Sequence, residues 1–352
     1  MFKFYQKCLK IWFDILTPKQ LLFFEPMIRK LRKNNQVLCT SRNYREVVKL
    51  AKIRGINLSL LGKHGGPHKT DKLKASLSRM HYLASIAKKF APEITISFCS
   101  PEAARISYGL GIKHVAFSDS PHAEAVMRLS IPLVQKLLIP WIIPYREFQR
   151  YGIAKKDIIK YKAIDAAVIV RQCSKKYSRN DFSLTKKMTI LVRPEESQAA
   201  YISKERTKTT NIIHEIIREF PDCNIVILGR YSSQIRAFKK EFGNKVIVMD
   251  KVVDGKSLLE FTDFFIGSGG TMTAEAALMG IPTISYNAVP NNIEEYLVRR
   301  GLIVKEKDSK RIVKIIKKIG KSDRNKIRRK AETILSSMED PFPKLLSTIK
   351  SL

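Results

Sequence analysis

The stretch Ile266–Tyr286, IGSGGTMTAEAALMGIPTISY, concentrates the residues best suited to chemistry. A buried-type apolar run ends in Gly267-Ser268-Gly269-Gly270, and a helix is predicted to start near Thr271. Glycines let the backbone approach a ligand closely and accept positive φ angles. The free N–H groups and positive end of the following helix suit a phosphate. Ser268 and Thr271 can cap that helix or donate to the same anion. Glu275 lies about one turn inside, where its carboxylate can take both hydroxyls of a ribose, as acidic residues do in other nucleotide folds. Gly280-Ile281-Pro282 closes the helix and opens the next strand. The glycines alone equally fit a tight βα turn; the combination of paired glycines, Thr, Glu and GxP points to a bound ligand.

Other candidates sit at predicted strand ends. Arg193 and Arg230 follow the runs ILVR and VILGR, where each can pair with diphosphate oxygens or be an ordinary surface arginine. Asp14, with Thr17 and Pro18, ends the first strand and reads as a site acid or a helix cap. His64, in the basic glycine-rich loop Lys63-His64-Gly65-Gly66, is a candidate general base or part of a solvated loop. His64 and His68 would make a metal pair on a helix, but Gly65, Gly66 and Pro67 forbid one, so no metal site is expected. Ser118-Asp119-Ser120-Pro121-His122 follows the fifth strand. Asp119 and His122 form the best acid–base pair, with Glu124 beside them; a capped helix start is the alternative. Glu294 and Glu295 follow the Asn291-Asn292 turn and read as helix-capping residues.

The elements that must position these groups alternate. Strands are predicted over Lys10–Ile15, Gln36–Thr40, Ile56–Leu61, Ile94–Phe98, His114–Phe117 and Leu137–Ile143, with helices over Leu21–Lys33 and Tyr44–Arg54. The rhythm restarts at Thr189–Val192, followed by a helix over Thr207–Glu219. Strands at Asn224–Leu228, Lys245–Met249, Phe264–Ile266 and Thr283–Tyr286 come next, with a helix over Met272–Met279. Such alternation implies βαβ units and parallel sheets. The expected layout is a first Rossmann-like domain over 1–175, a linker over 176–187, a second domain over 188–335, and a C-terminal helix over 336–352 that packs back on the first. Open parallel sheets bind ligands beyond the carboxyl ends of their strands, so a site in the cleft between the two is expected.

The 352 residues suffice for two cores, and 44% hydrophobic content fits a globular chain. The formal charge of +33 favours polyanions, nucleic acid, anionic lipid or phosphate-rich substrates; a lysine-rich organism with a salty cytoplasm would show the same excess. Cys8, Cys39, Cys99, Cys173 and Cys223 form no CxxC pair and read as buried thiols. No run of about 18 apolar residues occurs. The Leu129–Pro144 stretch is interrupted by Pro132 and Pro140, and the start lacks a signal-peptide core. A cytoplasmic protein is expected, held peripherally at the inner membrane face if its basic C-terminal helices, with Ile312, Ile315, Ile316 and Ile319 on one side, meet anionic lipid.

The 266–286 segment resembles the nucleotide-binding stretch of GT-B glycosyltransferases and of UDP-N-acetylglucosamine 2-epimerases. The whole chain resembles an archaeal and bacterial family known as domain of unknown function 354, itself GT-B-like. IWFDILTP (Ile11–Pro18), FFEPMIRKL (Phe23–Leu31), LGKHGG (Leu61–Gly66), FSDSPHA (Phe117–Ala123), LVRPE (Leu191–Glu195) and GSGGTMTAEAALMGIPTIS carry the likeness, which spans almost all of Lys10–Leu302. It implies a GT-B-like α/β fold, two Rossmann-like domains with parallel sheets facing across a cleft, the second holding the nucleotide sugar. It implies that the Asp14 loop faces the acceptor or the sugar phosphates. The family pattern has a histidine two residues after Pro18, where this chain has Gln20. His122-Ala123-Glu124-Ala125 is similar to the HxEA motif of the epimerases, without their other segments rich in Pro, Glu and Arg.

Three functions follow as expectations. The first is a metal-independent glycosyltransferase, with no cofactor beyond a UDP-linked sugar donor and a lipid-linked or glycan acceptor; no DxD motif stands at a strand end. The second is a sugar-nucleotide epimerase or hydrolase with Glu124 essential. The third is a non-catalytic polyanion binder, which rests on charge alone, since no zinc-finger spacing or RRM signature is present.

Overall fold

The run KIWFDI buries five of its six side chains, as a central parallel strand covered on both faces must. The computed structural model describes residues 8–66, 68–173, 176–195 and 209–352. The chain divides into two units, Met1–Ala163 with Glu339–Leu352, and Ile164–Met338.

Unit 1 alternates β1 (Lys10–Ile15), α1 (Pro18–Leu31), β2 (Gln36–Asn43), α2 (Arg45–Arg54), β3 (Ser59–Lys63), α3 (Lys69–Phe90), β4 (Ile94–Ser97), α4 (Pro101–Gly109), β5 (Lys113–Phe117), α5 (Glu124–Ser130), β6 (Lys136–Pro140), α6 (Arg146–Gln149) and β7 (Ile158–Tyr161). Its parallel sheet has the order β3-β2-β1-β4-β5-β6-β7. Thr17 caps α1, its hydroxyl accepting from the Gln20 N–H, and Pro18 starts the helix. The α1 rings Phe23 and Phe24 pack edge-on or tilted against Phe13, Phe98 and Phe117 with centroids 5.0–5.6 Å apart.

Unit 2 runs α7 (Asp165–Val170), β8 (Thr189–Arg193), α8 (Thr209–Glu219), β9 (Asn224–Leu228), α9 (Ser232–Phe242), β10 (Ile247–Met249), α10 (Gly255–Leu259), β11 (Phe264–Gly267), α11 (Thr271–Leu278), β12 (Thr283–Ser285), α12 (Asn292–Arg299), β13 (Ile303–Lys305), α13 (Ser309–Lys318) and α14 (Lys321–Ser336). Its parallel sheet has the order β10-β9-β8-β11-β12-β13. Strand order reverses between β1 and β4 in one unit and between β8 and β11 in the other. Such reversals open a crevice at the carboxyl ends of the strands.

The structure departs from the sequence reading in several places. The boundary falls at Ala163–Ile164, so the 176–187 stretch lies inside unit 2. The C-terminal helix expected over 336–352 is shorter, α15 (Phe342–Lys350), and groups with unit 1, where Leu345 and Ile349 are buried. The Glu339 carboxylate accepts from the Lys162 N–H, and the Glu339 N–H donates back to the Lys162 carbonyl. The strand expected over Ile56–Leu61 is Ser59–Lys63, because Gly55 caps α2 in the left-handed conformation and the chain must first turn. The start of the helix expected over Thr207–Glu219 lies outside the described residues. Cys39 and Cys99 are buried, but Cys8 and Cys173 are exposed. The apolar stripe of α13 is already used, since Ile312 and Ile316 join the unit 2 core and Ile315 and Ile319 pack against it. Only its basic face stays outside. Likewise Leu137, Leu138, Ile139 and Ile143 are core residues, leaving Leu129 exposed from that stretch. Among the described residues no helix is long and apolar enough to cross a membrane.

Candidate functional site

β11 ends at Gly267, paired in register with Arg193 on β8 and with Ser285 on β12. A Cβ on Gly267 would stand 2.7 Å from the Thr273 hydroxyl, so no larger residue fits. Gly269 and Gly270 both hold positive φ, +90° and +85°, a conformation that suits glycine. α11 then starts with no side-chain cap and no acidic residue in its first turn. The Ala274 N–H is the first that returns to Gly270. The preceding N–H groups have no helical acceptor and lie at the β8–β11 reversal, the arrangement that suits an anion. The Ser268 hydroxyl donates to the Pro194 carbonyl at 3.3 Å, which ties the turn to the end of β8.

The two predicted arginines are oriented by backbone carbonyls. Arg193 donates to the carbonyls of Leu228 and Gly229 at 2.7 and 3.1 Å. Arg230 donates through Nε to the Pro194 carbonyl at 3.2 Å. Glu275 is buried on α11, and burial with the nearby charge of Asp254 pushes its pKa up to about 7 against the pull of Arg193. No hydrogen bond to its carboxylate is made by the described residues, so its acceptor capacity is open. A second buried acid, Glu195, follows β8. Its carboxylate accepts from the Thr209 hydroxyl, which also bonds the Tyr286 hydroxyl at 2.7 Å. Burial and Glu195 drive the Tyr286 pKa well up. The sequence reading missed this chain because its members are spread from β8 to the end of β12.

In unit 1 the expected catalytic residues do not converge. Asp14 is fully buried rather than presented to a substrate. Arg79, from α3, grips it with both terminal nitrogens at 2.5 and 3.1 Å, and the hydroxyls of Thr40 and Ser100 donate to it at 2.6 Å. Burial would raise the Asp14 pKa; the Arg79 charge and these bonds outweigh it and hold the carboxyl below the usual range. Asp14, at the end of β1 beside β4, is therefore already paired within the protein. Next to it, buried His114 shares a 2.9 Å bond with Ser97, and burial pushes its pKa down to about 4, with Asp14 opposing. Gln20, where the family pattern has histidine, closes the β1–α1 turn by accepting from the Leu16 N–H at 2.7 Å.

Asp119 and His122 do lie together after β5. Lys19 completes the group, with its ammonium 2.7 Å from Asp119. His122 is lowered by burial and Lys19 and raised by Asp119. His122 also lines a depression of about 220 Å³ with Glu124, Arg128, Arg150 and Tyr151. Glu124 itself is largely exposed and pairs with Arg128 one turn on. His64 follows edge strand β3, stacked on Tyr44, and its Nδ1 accepts from the Gly66 N–H at 3.0 Å. Three strands separate β3 from β5, about 19 Å at ordinary strand spacing. His64 therefore belongs to a different part of the sheet edge from Asp119 and His122.

The sequence pattern of a family described as "Protein of unknown function (DUF354)" matches residues 9–350. An uncharacterized protein of Methanocaldococcus jannaschii is 28% identical over 317 residues, covering 88% of this chain and 91% of its own. Among solved structures, UDP-GlcNAc 2-epimerase from Neisseria meningitidis, bound to UDP-GlcNAc, superposes with a TM-score of 0.73 at 12% identity, over 98% of this chain and 100% of that one. The glycotransferase of kitacinnamycin superposes with a TM-score of 0.58 at 13% identity, over 94% of this chain and 97% of that one. The fold is thus GT-B-like, two Rossmann-like parallel-sheet domains.

Proposed function

The chain belongs to the family described as "Protein of unknown function (DUF354)", and on that premise we propose that unit 2 binds a nucleoside-diphosphate sugar and that the protein is a metal-independent glycosyltransferase. One observation carries the reading: an uncapped helix end behind a double positive-φ glycine turn, at the β8–β11 reversal, with a buried carboxylate one turn inside that accepts no hydrogen bond from the described residues. The diphosphate sits against the α11 N-terminus, and Arg193 and Arg230 add positive charge. Glu275 takes the ribose hydroxyls. When the glycosidic bond breaks, charge grows on the leaving diphosphate, and preoriented N–H groups and guanidinium groups stabilise it without reorganising. A metal is not needed for that step.

Incubating the protein with UDP-sugars and mixed glycan or lipid acceptors, with a chelator present, tests transfer. Acceptor-dependent release of UDP is the expected result, and release that requires a divalent ion contradicts the metal-free step. A second reading, epimerisation, draws on Asp119 and His122 standing together beside Lys19. It calls for exchange of the C2 hydrogen in heavy water without any acceptor, which transfer does not produce.

A further inference from the structure

The anion-binding turn has a second polar flank, on the β12 side. Among the described residues, Thr273 Oγ1, Ser285 Oγ and both carboxylate oxygens of Glu294 are shut off from solvent and make no hydrogen bond. All three residues adjoin the turn. The Thr273 hydroxyl stands 2.7 Å from a Cβ built on Gly267, and Glu294 Oε2 stands 3.2 Å from one built on Gly269. Ser285 is the register partner of Gly267, and its hydroxyl lies close enough to the Glu294 carboxylate to pull that group's pKa down against the rise that burial imposes. Glu294 is 4% exposed. The ammonium of Lys305, itself about half exposed, reaches only 4.0 Å from Oε1. Buried polar atoms are almost always paired, because leaving them unpaired is costly. Several at one turn mark a place where a ligand supplies the partners.

Strand order says which part of a ligand would lie there. β11 stands between β8 and β12. Glu275 answers to Arg193 on the β8 side. Glu294 stands with Ser285 and Lys305, on the β12 and β13 side. Two buried carboxylates thus flank one anion-binding helix end. A nucleoside-diphosphate sugar has the same order: a ribose bearing hydroxyls, a dianionic bridge, and a glycosyl ring bearing hydroxyls. Given the nucleotide reading above, on which this step rests, we propose that Glu294, with Ser285 and Thr273, holds hydroxyl groups of the glycosyl ring. The site then selects a neutral hexose or N-acetylhexosamine donor and rejects a uronic acid. A ring hydroxyl donates to the Glu294 carboxylate. A ring carboxylate offers no proton and brings a like charge into a low-dielectric pocket.

Calorimetric binding of matched donor pairs tests this on the full chain: UDP-glucose with UDP-glucuronic acid, GDP-mannose with GDP-mannuronic acid, and free UDP and GDP as references. The neutral member of the accepted pair is expected to bind at least about tenfold more tightly than its uronate, the scale of a charged hydrogen bond exchanged for a like-charge contact. Glu294→Gln keeps the shape and removes the charge. It should narrow the gap to about threefold or less, read as the ratio of neutral sugar to uronate within the variant, so that any change in diphosphate affinity common to both donors cancels. Two results overturn the proposal while the nucleotide reading stands: equal binding of uronate and neutral sugar, or an undiminished gap in Glu294→Gln. Failure of every nucleotide to bind removes both.

Discussion

At the scale of single residues, Glu275 is the most informative position. Its carboxyl is buried with no hydrogen-bond donor among the described residues, and burial pushes its pKa up to about 7. In the unfolded chain it would titrate near the ordinary carboxylate value, so between those two pH values the folded state holds the extra proton. Stability contributed by this group is therefore present below the unfolded value and lost as pH rises through about 7. Glu275→Gln is expected to stabilise the ligand-free protein by roughly 2–3 kcal/mol at pH 8 and by little at pH 4. Paired urea titrations at the two pH values check it, and equal effects at both would refute the buried-carboxyl account. Glu275→Ala should weaken nucleotide binding by roughly 1–3 kcal/mol, and the loss should shrink when the ligand is a 2′-deoxyribonucleotide, which keeps only one of the two hydroxyls. An undiminished loss with the deoxy ligand would place Glu275 away from the ribose. In unit 1, Asp14 and Arg79 form a buried pair, and breaking such a pair from one side leaves an uncompensated charge. Arg79→Met should cost about 3–5 kcal/mol in a denaturation curve, more than Asp14→Asn combined with Arg79→Met. Arg79 was invisible in the sequence because its partner lies 65 residues away, and no local spacing reports such a contact.

At the scale of elements, the glycine turn was legible and the polar scaffolds behind it were not. A strand, a GG turn and a helix form one local pattern, so the bounds of β11 and α11 follow from the residues between Phe264 and Leu278. The turn's strain is specific. Gly269 would place a Cβ 2.4 Å from that of Ala288, whereas nothing lies within 4 Å at Gly270. Both hold positive φ, so Gly270→Ala carries a backbone cost of about 1 kcal/mol, and Gly269→Ala adds an overpacking cost of about 1–3 kcal/mol. Thermal melts of the two variants should rank in that order; the reverse order would mean the turn is not built as described. α3 was missed altogether. Its 22 residues bury only Arg79, Leu83 and Ala87, so its polar and half-exposed positions carry little 3.6-residue periodicity. Without that helix the partner of Asp14 has no place, and Asp14 reads as a site acid or a helix cap. The two units thus differ at equivalent strand ends: Asp14 on β1 is held by an internal ion pair, whereas the turn after β11 leads into a helix start with no side-chain cap.

At the scale of the whole molecule, the alternation of apolar runs and polar helices declared two parallel-sheet units, because each central strand needs both faces covered. The boundary was less visible, since Lys-, Ser- and Asn-rich composition marks surface exposure as readily as a linker. α15 belongs to unit 1 although it follows all of unit 2 in sequence. Leu345→Ala should remove about 2–4 kcal/mol from unit 1, seen as a lowered calorimetric transition for that unit with nucleotide-linked stabilisation of unit 2 retained. A drop confined to the nucleotide-stabilised transition would contradict the assignment of α15. The net charge of +33 will draw any polyanion at low salt, and that attraction fades steeply as salt rises. Selective nucleotide recognition, built from oriented N–H groups and buried acceptors, should survive it. The most direct test of the central claim is therefore calorimetric titration with UDP, GDP, ADP, TDP and CMP, and with UDP-N-acetylglucosamine, in moderate salt. The account predicts one nucleoside diphosphate bound selectively at micromolar affinity, with Glu275→Ala weakening it. Absence of binding by every one of them to the folded protein would contradict it and leave charge alone as the guide to function.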